Sequence, residues 1–173
     1  MEASLVDQLP GLRRYARALT GNAWAADDLV QDTLERACAK WRLWLPGSDL
    51  RAWLFTVMHN LYLNQRRGER LAPATVDLAD VEHELPAPAS HQDDALDLDR
   101  CLQRLPADQR AVLLLVTLED LGYEETARVL GVPVGTVMSR LSRARSRLRE
   151  LMEAGSSPAD PAQAPAVPLR RLK

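Results

Sequence analysis

The amino-acid sequence predicts an all-α protein built as two small helical domains joined by a flexible acidic linker. Three observations carry that expectation. Leu, Ala, Arg and Glu are abundant while Phe occurs once, a composition that favours helix over strand. Apolar residues recur at steps of three and four, the period of a helix with one buried face. A proline-bearing acidic stretch near the middle breaks that period and holds too few aromatic residues to fold alone. With 173 residues, 46% of them hydrophobic, the chain has ample material for a packed core. The expected limits are residues 1–72 for the first domain, 73–92 for the linker, 93–153 for the second domain and 154–173 for a disordered tail rich in Ala, Pro and Ser.

The first helix follows from Leu5, Leu9, Leu12, Ala16 and Leu19, which share one face, and Thr20-Gly21-Asn22 stops it. A second is expected from Ala25 to Trp41, with Val30, Leu34, Ala37 and Trp41 on the core side. Its other face carries Asp28, Gln31, Asp32 and Glu35, an acidic surface free to meet a partner. Pro46-Gly47-Ser48-Asp49 is a turn whose last members can cap a third helix, from about Leu50 to Arg67. Leu50, Leu54, Val57 and Leu61 form its core stripe, Asn60 and Asn64 share a different face, and Arg66, Arg67 and Arg70 follow close to its end. Three amphipathic helices of this length can enclose a common core as a small bundle. In the second domain, a short helix spans Asp97 to Leu105, and Pro106-Ala107-Asp108 opens another that carries the apolar run Ala111 to Leu118.

Net charge is -2 and the isoelectric point is near 5.9, which taken alone argues against a nucleic-acid binder. The average conceals a segregation. Between Pro73 and Asp99 the chain carries acids and no Lys or Arg, whereas Val134 to Arg149 carries Arg140, Arg143, Arg145, Arg147 and Arg149 and no acid. That basic stretch sits in LGYEETARVLGVPVGTVMSRLSRARSRLRE. Tyr123 to Leu130 reads as a short helix, Gly131-Val132-Pro133 as a turn and Val134 to Arg149 as a longer helix. Such an order is a helix-turn-helix, with Gly131 for the tight turn, Pro133 restricting the chain before the next helix and Ala127 small enough for close crossing. Val137 and Leu141 are expected inward, leaving Thr136, Ser139, Arg140 and Arg143 on the outer surface.

A recognition helix enters the major groove with its N-terminal residues against base edges while flanking cations hold phosphates. Arg140 and Arg143 are therefore the candidate base readers. Arg145, Arg147 and Arg149 lie further along, where phosphate contact supplies affinity and salt dependence without sequence choice. The plainer alternative is a solvated, Arg-rich face that complements its own helix dipole.

YEETARVLGVPVGTVMSRLSRAR resembles region four of the sigma-70 family, and ADDLVQDTLERACAKW followed by DLRAWLFTVMHNLYLNQRR resembles its region two. Both motifs, in this order and with a short acidic linker between them, match the extracytoplasmic-function subgroup. LTGN, DDLVQDTL and DLRAWLF are similar to its general-stress-response members. The resemblance implies that Asp28, Gln31, Asp32 and Glu35 dock on core RNA polymerase, as an acidic face seeking basic residues would. It implies that Asn60, Asn64 and Arg67 meet the promoter element called minus ten, where asparagine amides suit exposed base edges. Trp44 falls in the loop where the family captures a flipped base, although it reads equally well as a core residue. Thr136, Ser139, Arg140, Arg143, Arg145 and Arg147 fall on the minus-thirty-five element. Control by an anti-sigma protein that covers the polymerase-binding faces is implied too. One departure stands out: where many relatives have a basic residue in GTV(R/K)SR, this chain has Met138.

Other classes fare worse. No nucleophile elbow, Gly-rich phosphate loop or HExxH is present, and His59, His83 and His91 lack metal-ligand spacing, so neither catalytic residues nor a metal or cofactor is expected. Cys38 and Cys101 match no zinc or CxxC spacing and read as free thiols of a reducing cytoplasm. No apolar run reaches the ~18 residues of a membrane span, so no membrane insertion is expected. A conventional helix-turn-helix repressor would share the second domain but has no use for DDLVQDTLERA, and a purely protein-binding adaptor does not explain an acid-free arginine helix.

Overall fold

The computed structural model describes residues 5–41, 49–71 and 92–155. Seven helices are found there: α1 Leu9–Thr20, α2 Ala23–Ala39, α3 Leu50–Leu71, α4 Gln92–Gln103, α5 Ala107–Thr117, α6 Tyr123–Leu130 and α7 Val134–Gly155. The described residues contain no strand, as the periodicity predicts. Trp44, the linker and the tail lie outside the described residues.

Local chemistry sets most boundaries. Pro10 stands in the first turn of α1, where its missing N–H leaves nothing unpaired. Gly21, at φ 70°, ends that helix and returns its N–H to the Arg17 carbonyl at 2.9 Å. Asn22 caps α2 by accepting from the Ala25 N–H at 3.0 Å, so the helix starts two residues before the expected Ala25. Asp49 caps α3 through one carboxylate oxygen, which accepts from the N–H groups of Arg51 and Ala52 at 2.9 and 3.2 Å. The longer helices overrun expectation: α3 continues to Leu71 and α7 to Gly155.

The first bundle buries Leu12, Tyr15, Ala16 and Leu19 of α1 against Ala26, Leu29, Val30 and Ala37 of α2 and Leu54, Phe55 and Met58 of α3. Tyr15 meets Phe55 edge to face with ring centroids 5.2 Å apart. Leu34, Trp41, Val57 and Leu61, expected in the core, are only partly buried, and Trp41 and Trp53 pack edge to face at 6.3 Å along the margin.

The two bundles pack on each other, with α1 against α4 and α5, and α3 against α6. Helix α5 is the shared wall. Its Ala111, Leu114 and Leu115 enter the first bundle's core, while Val112 and Leu113 enter a second with Val137, Leu141, Ala144 and Leu151 of α7. This explains the unbroken apolar run at Ala111 to Leu115, since a helix packed on both sides needs no polar face there.

Candidate functional site

At the seam between the bundles lies Glu119, in the turn between α5 and α6, with its side chain fully shielded from solvent. Arg14 of α1 donates to both of its carboxylate oxygens, Nε to Oε1 at 2.9 Å and an Nη to Oε2 at 3.0 Å. Arg51 of α3 donates to Oε2 at 2.9 Å and to the Glu119 carbonyl at 2.6 Å. Asp120 follows in the left-handed region at φ 50°, a conformation that Asp tolerates better than most residues. Gly11 matters here too, because a Cβ at that position of α1 would stand 3.0 Å from Glu119 Oε2. Beside this clasp, Arg110 of α5 donates to the Tyr62 hydroxyl at 3.1 Å and to Gln103, and Gln103 donates to the Ala18 carbonyl at 3.0 Å. Nothing in the sequence distinguishes Glu119, Arg14 or Arg51 from surface charges, so sequence reasoning missed them.

The acidic face of α2 is presented largely as expected. Asp28, Gln31 and Glu35 are exposed, and the Gln31 amide donates to Glu35 at 3.0 Å. Asp32 is half-buried and accepts from Gln65 of α3 at 3.2 Å, which makes it as much a brace between helices as a surface charge. Trp24, 87% exposed, heads the stripe one turn before Asp28, a position the sequence reading passed over. Tryptophan is among the residues enriched at protein–protein interfaces.

On α3, Asn60, Asn64 and Arg67 are exposed and one turn apart, so a single face offers two amides and a guanidinium. The neighbouring His59 is buried, and its Nδ1 has no hydrogen-bond partner among the described residues. Burial, and secondarily the Arg140 cation from α7, push its pKa down to about 4. Folding therefore favours neutral imidazole. An unfolded chain takes up a proton below about pH 6.5 while the folded one does not, so this contribution is whole above that pH and is lost progressively towards pH 4. Between pH 7.5 and 5 the wild type is expected to lose about 2 kcal/mol more than His59→Leu in urea unfolding. Parallel pH profiles for the two would refute that assignment.

The helix-turn-helix forms as the sequence predicts. Gly131 adopts φ 63°, and the Val132 N–H returns to the Ala127 carbonyl at 3.1 Å. Glu125 accepts from the Gly122 N–H at 3.0 Å and fixes the start of α6. Along α7, Ser139, Arg143, Arg145 and Arg147 are exposed, and Arg143 donates back to the Ser139 carbonyl at 3.2 Å. Thr136 is half-buried. Arg140 departs from the expected outer surface: its side chain is 26% exposed and pairs with Asp108 at the start of α5 at 3.1 Å. It lies on the flank of α7 turned back towards α5, whereas Arg143 faces outward. Among the described residues no group of acids, His and Cys could hold a metal ion, no helix is long and apolar enough to cross a membrane, and Cys38 and Cys101 are free thiols.

Comparisons with known proteins agree with this geometry. A profile described as "Sigma2 domain of PhyR" matches residues 5–59, and one for "Sigma-70, region 4" matches residues 95–148. The chain is 41% identical over 146 residues to the ECF RNA polymerase sigma factor EcfG of Rhodopseudomonas palustris, a match covering 83% of this chain and 80% of that one. Among solved structures, the sigma factor RpoE in complex with the anti-sigma factor NepR from Bartonella quintana superposes with a TM-score of 0.72 at 38% identity, covering 88% of this chain and 96% of that one. CnrH in complex with the cytosolic domain of CnrY gives 0.67 at 26% identity, covering 90% and 88%. The identity to the EcfG relative over four-fifths of both chains, with the region-two and region-four profiles matched in that order, assigns this chain to the extracytoplasmic-function sigma factors of RNA polymerase.

Proposed function

We propose that the chain directs core RNA polymerase to promoters by dividing the work between its bundles. The exposed stripe of α2, Trp24, Asp28, Gln31 and Glu35, docks on a basic surface of the polymerase. The α3 face of Asn60, Asn64 and Arg67 takes the minus-ten element, with Trp44 nearby in sequence, and α7 takes the minus-thirty-five element. The domains run over residues 1–72 and 93–153. The protein works in the cytoplasm, where the polymerase is, and carries no catalysis of its own.

The observation that carries this reading is the pairing, in one chain, of an exposed acidic face on α2 with a run of α7, residues 134–149, that bears five arginines and no acid. Its mechanism follows from size. A compact chain of this length is about 40 Å across, whereas elements at minus ten and minus thirty-five lie roughly 25 base pairs, or about 85 Å, apart on B-form DNA. The packed arrangement therefore cannot reach both, and the bundles separate on the polymerase. Residues 72–91 between α3 and α4, at full extension about 66 Å, allow it. An anti-sigma protein resembling those seen with the relatives would hold the packed form.

The test is run-off transcription with core polymerase and a promoter library, comparing the wild type with Asp28→Lys/Glu35→Lys. The wild type is expected to initiate at defined sites, and the variant to lose at least a tenfold share of core binding, since like charges placed across an interface repel strongly. A wild type that binds duplex DNA specifically yet never supports initiation would sink the proposal.

A further inference from the structure

One flank of α7 does not fit the picture of an arginine helix. Met138 is 53% exposed and Val134, one turn earlier, 37% exposed, and Tyr123 from the start of α6 is 42% exposed. Tyr123, Met138, Ser142, Arg145 and Arg149 line one shallow groove on the outside of the helix-turn-helix. Its mouth is apolar at the N-terminal end of α7 and cationic further along. Solvent alone gives no reason to hold a thioether and a phenol there.

We infer that Met138 reads the methyl group of a thymine in the upstream promoter element. This rests on α7 being the recognition helix. The N-terminal turns of such a helix meet base edges, and Met138 stands in the second turn. Thymine alone presents a methyl group in the major groove, and apolar side chains are its natural contact. Methionine, unbranched and polarisable, adapts to such a surface. Arg145 and Arg149 on the same flank supply the phosphate contacts that set the depth of insertion. A basic residue at this position would instead seek guanine or phosphate, so Met138 changes which base is preferred and does more than subtract a contact.

The experiment uses holoenzyme reconstituted from core polymerase and the full chain, bound to a promoter on which it initiates. Each thymine of the upstream element, on either strand, is replaced singly by deoxyuridine, which removes only the methyl. At one position the wild type is expected to lose about fourfold in affinity, the worth of one buried methyl. Met138→Ala should bind the thymine promoter more weakly and be indifferent to uracil at that position, and Met138→Arg should shift selection there from thymine to guanine. Because Met138 is exposed, both variants are expected to melt as the wild type does. Uracil tolerated at every position overturns the inference, as does a Met138→Ala variant that keeps the wild-type response to uracil or is impaired only in assembling with core polymerase. Arg143→Ala separates the two levels. If it abolishes upstream discrimination while uracil has no effect, α7 reads DNA and the inference about Met138 alone fails; if neither variant alters discrimination, the recognition-helix reading fails with it.

Discussion

Arg14→Ala combined with Arg51→Ala is expected to open the protein without unfolding it. The double change strips Glu119, whose side chain is fully shielded in the intact protein, of the four side-chain and backbone contacts that these arginines make. Breaking a buried ion pair by removing one side typically costs about 3–5 kcal/mol, mostly because a charge is left buried and unpaired. Both arginines are partly exposed, at 51% and 37%, so solvent screens the pairs and the lower end of that range applies. About 3 kcal/mol shifts the packed-to-open ratio by about a hundredfold. Each bundle retains its own buried aliphatic residues, so separating at the seam rehydrates Glu119 at less expense than unfolding. Small-angle scattering should therefore show a larger radius of gyration with helical circular dichroism preserved. Glu119→Gln should open the protein less, since a buried amide is far easier to tolerate than an unpaired carboxylate. An unchanged radius of gyration in the double variant would mean that apolar contacts through α5 hold the bundles together unaided.

Opening has a functional counterpart. If the packed form cannot span both promoter elements, the double variant should compete better than the wild type for core polymerase against an anti-sigma protein that favours the packed form. The gain cannot exceed the free energy released at the seam.

The second large effect concerns Arg143. Exposed on the outer face of α7 and steadied by its bond to the Ser139 carbonyl, it can make a bidentate contact with guanine. Loss of such a contact is worth about 1–3 kcal/mol, roughly ten- to a hundredfold. Arg143→Ala should lower run-off transcription by that factor on promoters with an intact upstream element and relax the preference at one base pair. Arg145→Ala or Arg147→Ala should weaken all promoters alike and reduce the slope of log affinity against log salt by about one. Arg140→Ala should do less than Arg143→Ala, because Arg140 is turned towards Asp108. Equal losses for Arg140→Ala and Arg143→Ala would show that Arg140 leaves Asp108 when DNA binds.

Much of this was legible beforehand because it depends on neighbours in the chain. The helix-turn-helix needs a glycine at a left-handed turn, a proline after it and apolar residues at helical spacing, and Gly131, Pro133, Val137 and Leu141 declare all of them. The exposure of Asp28, Gln31 and Glu35 follows from their place opposite Leu29, Val30 and Ala37 on one helix. Exposed Asn60 and Asn64 follow from the same periodicity.

What the sequence by itself determined is thus the set of helices, their caps and the outward faces, since these are decided within one or two turns of backbone. Only the tertiary structure decided what happens between elements distant in the chain. It set Glu119 against Arg14, 105 positions away, made α5 a wall between two cores, turned Arg140 back towards Asp108 and buried His59. Periodicity can say that a side chain leaves the helix on a given side. Whether that side meets water or a second bundle depends on how the bundles pack, and a charge in water and a charge in a clasp are spelled with the same letter.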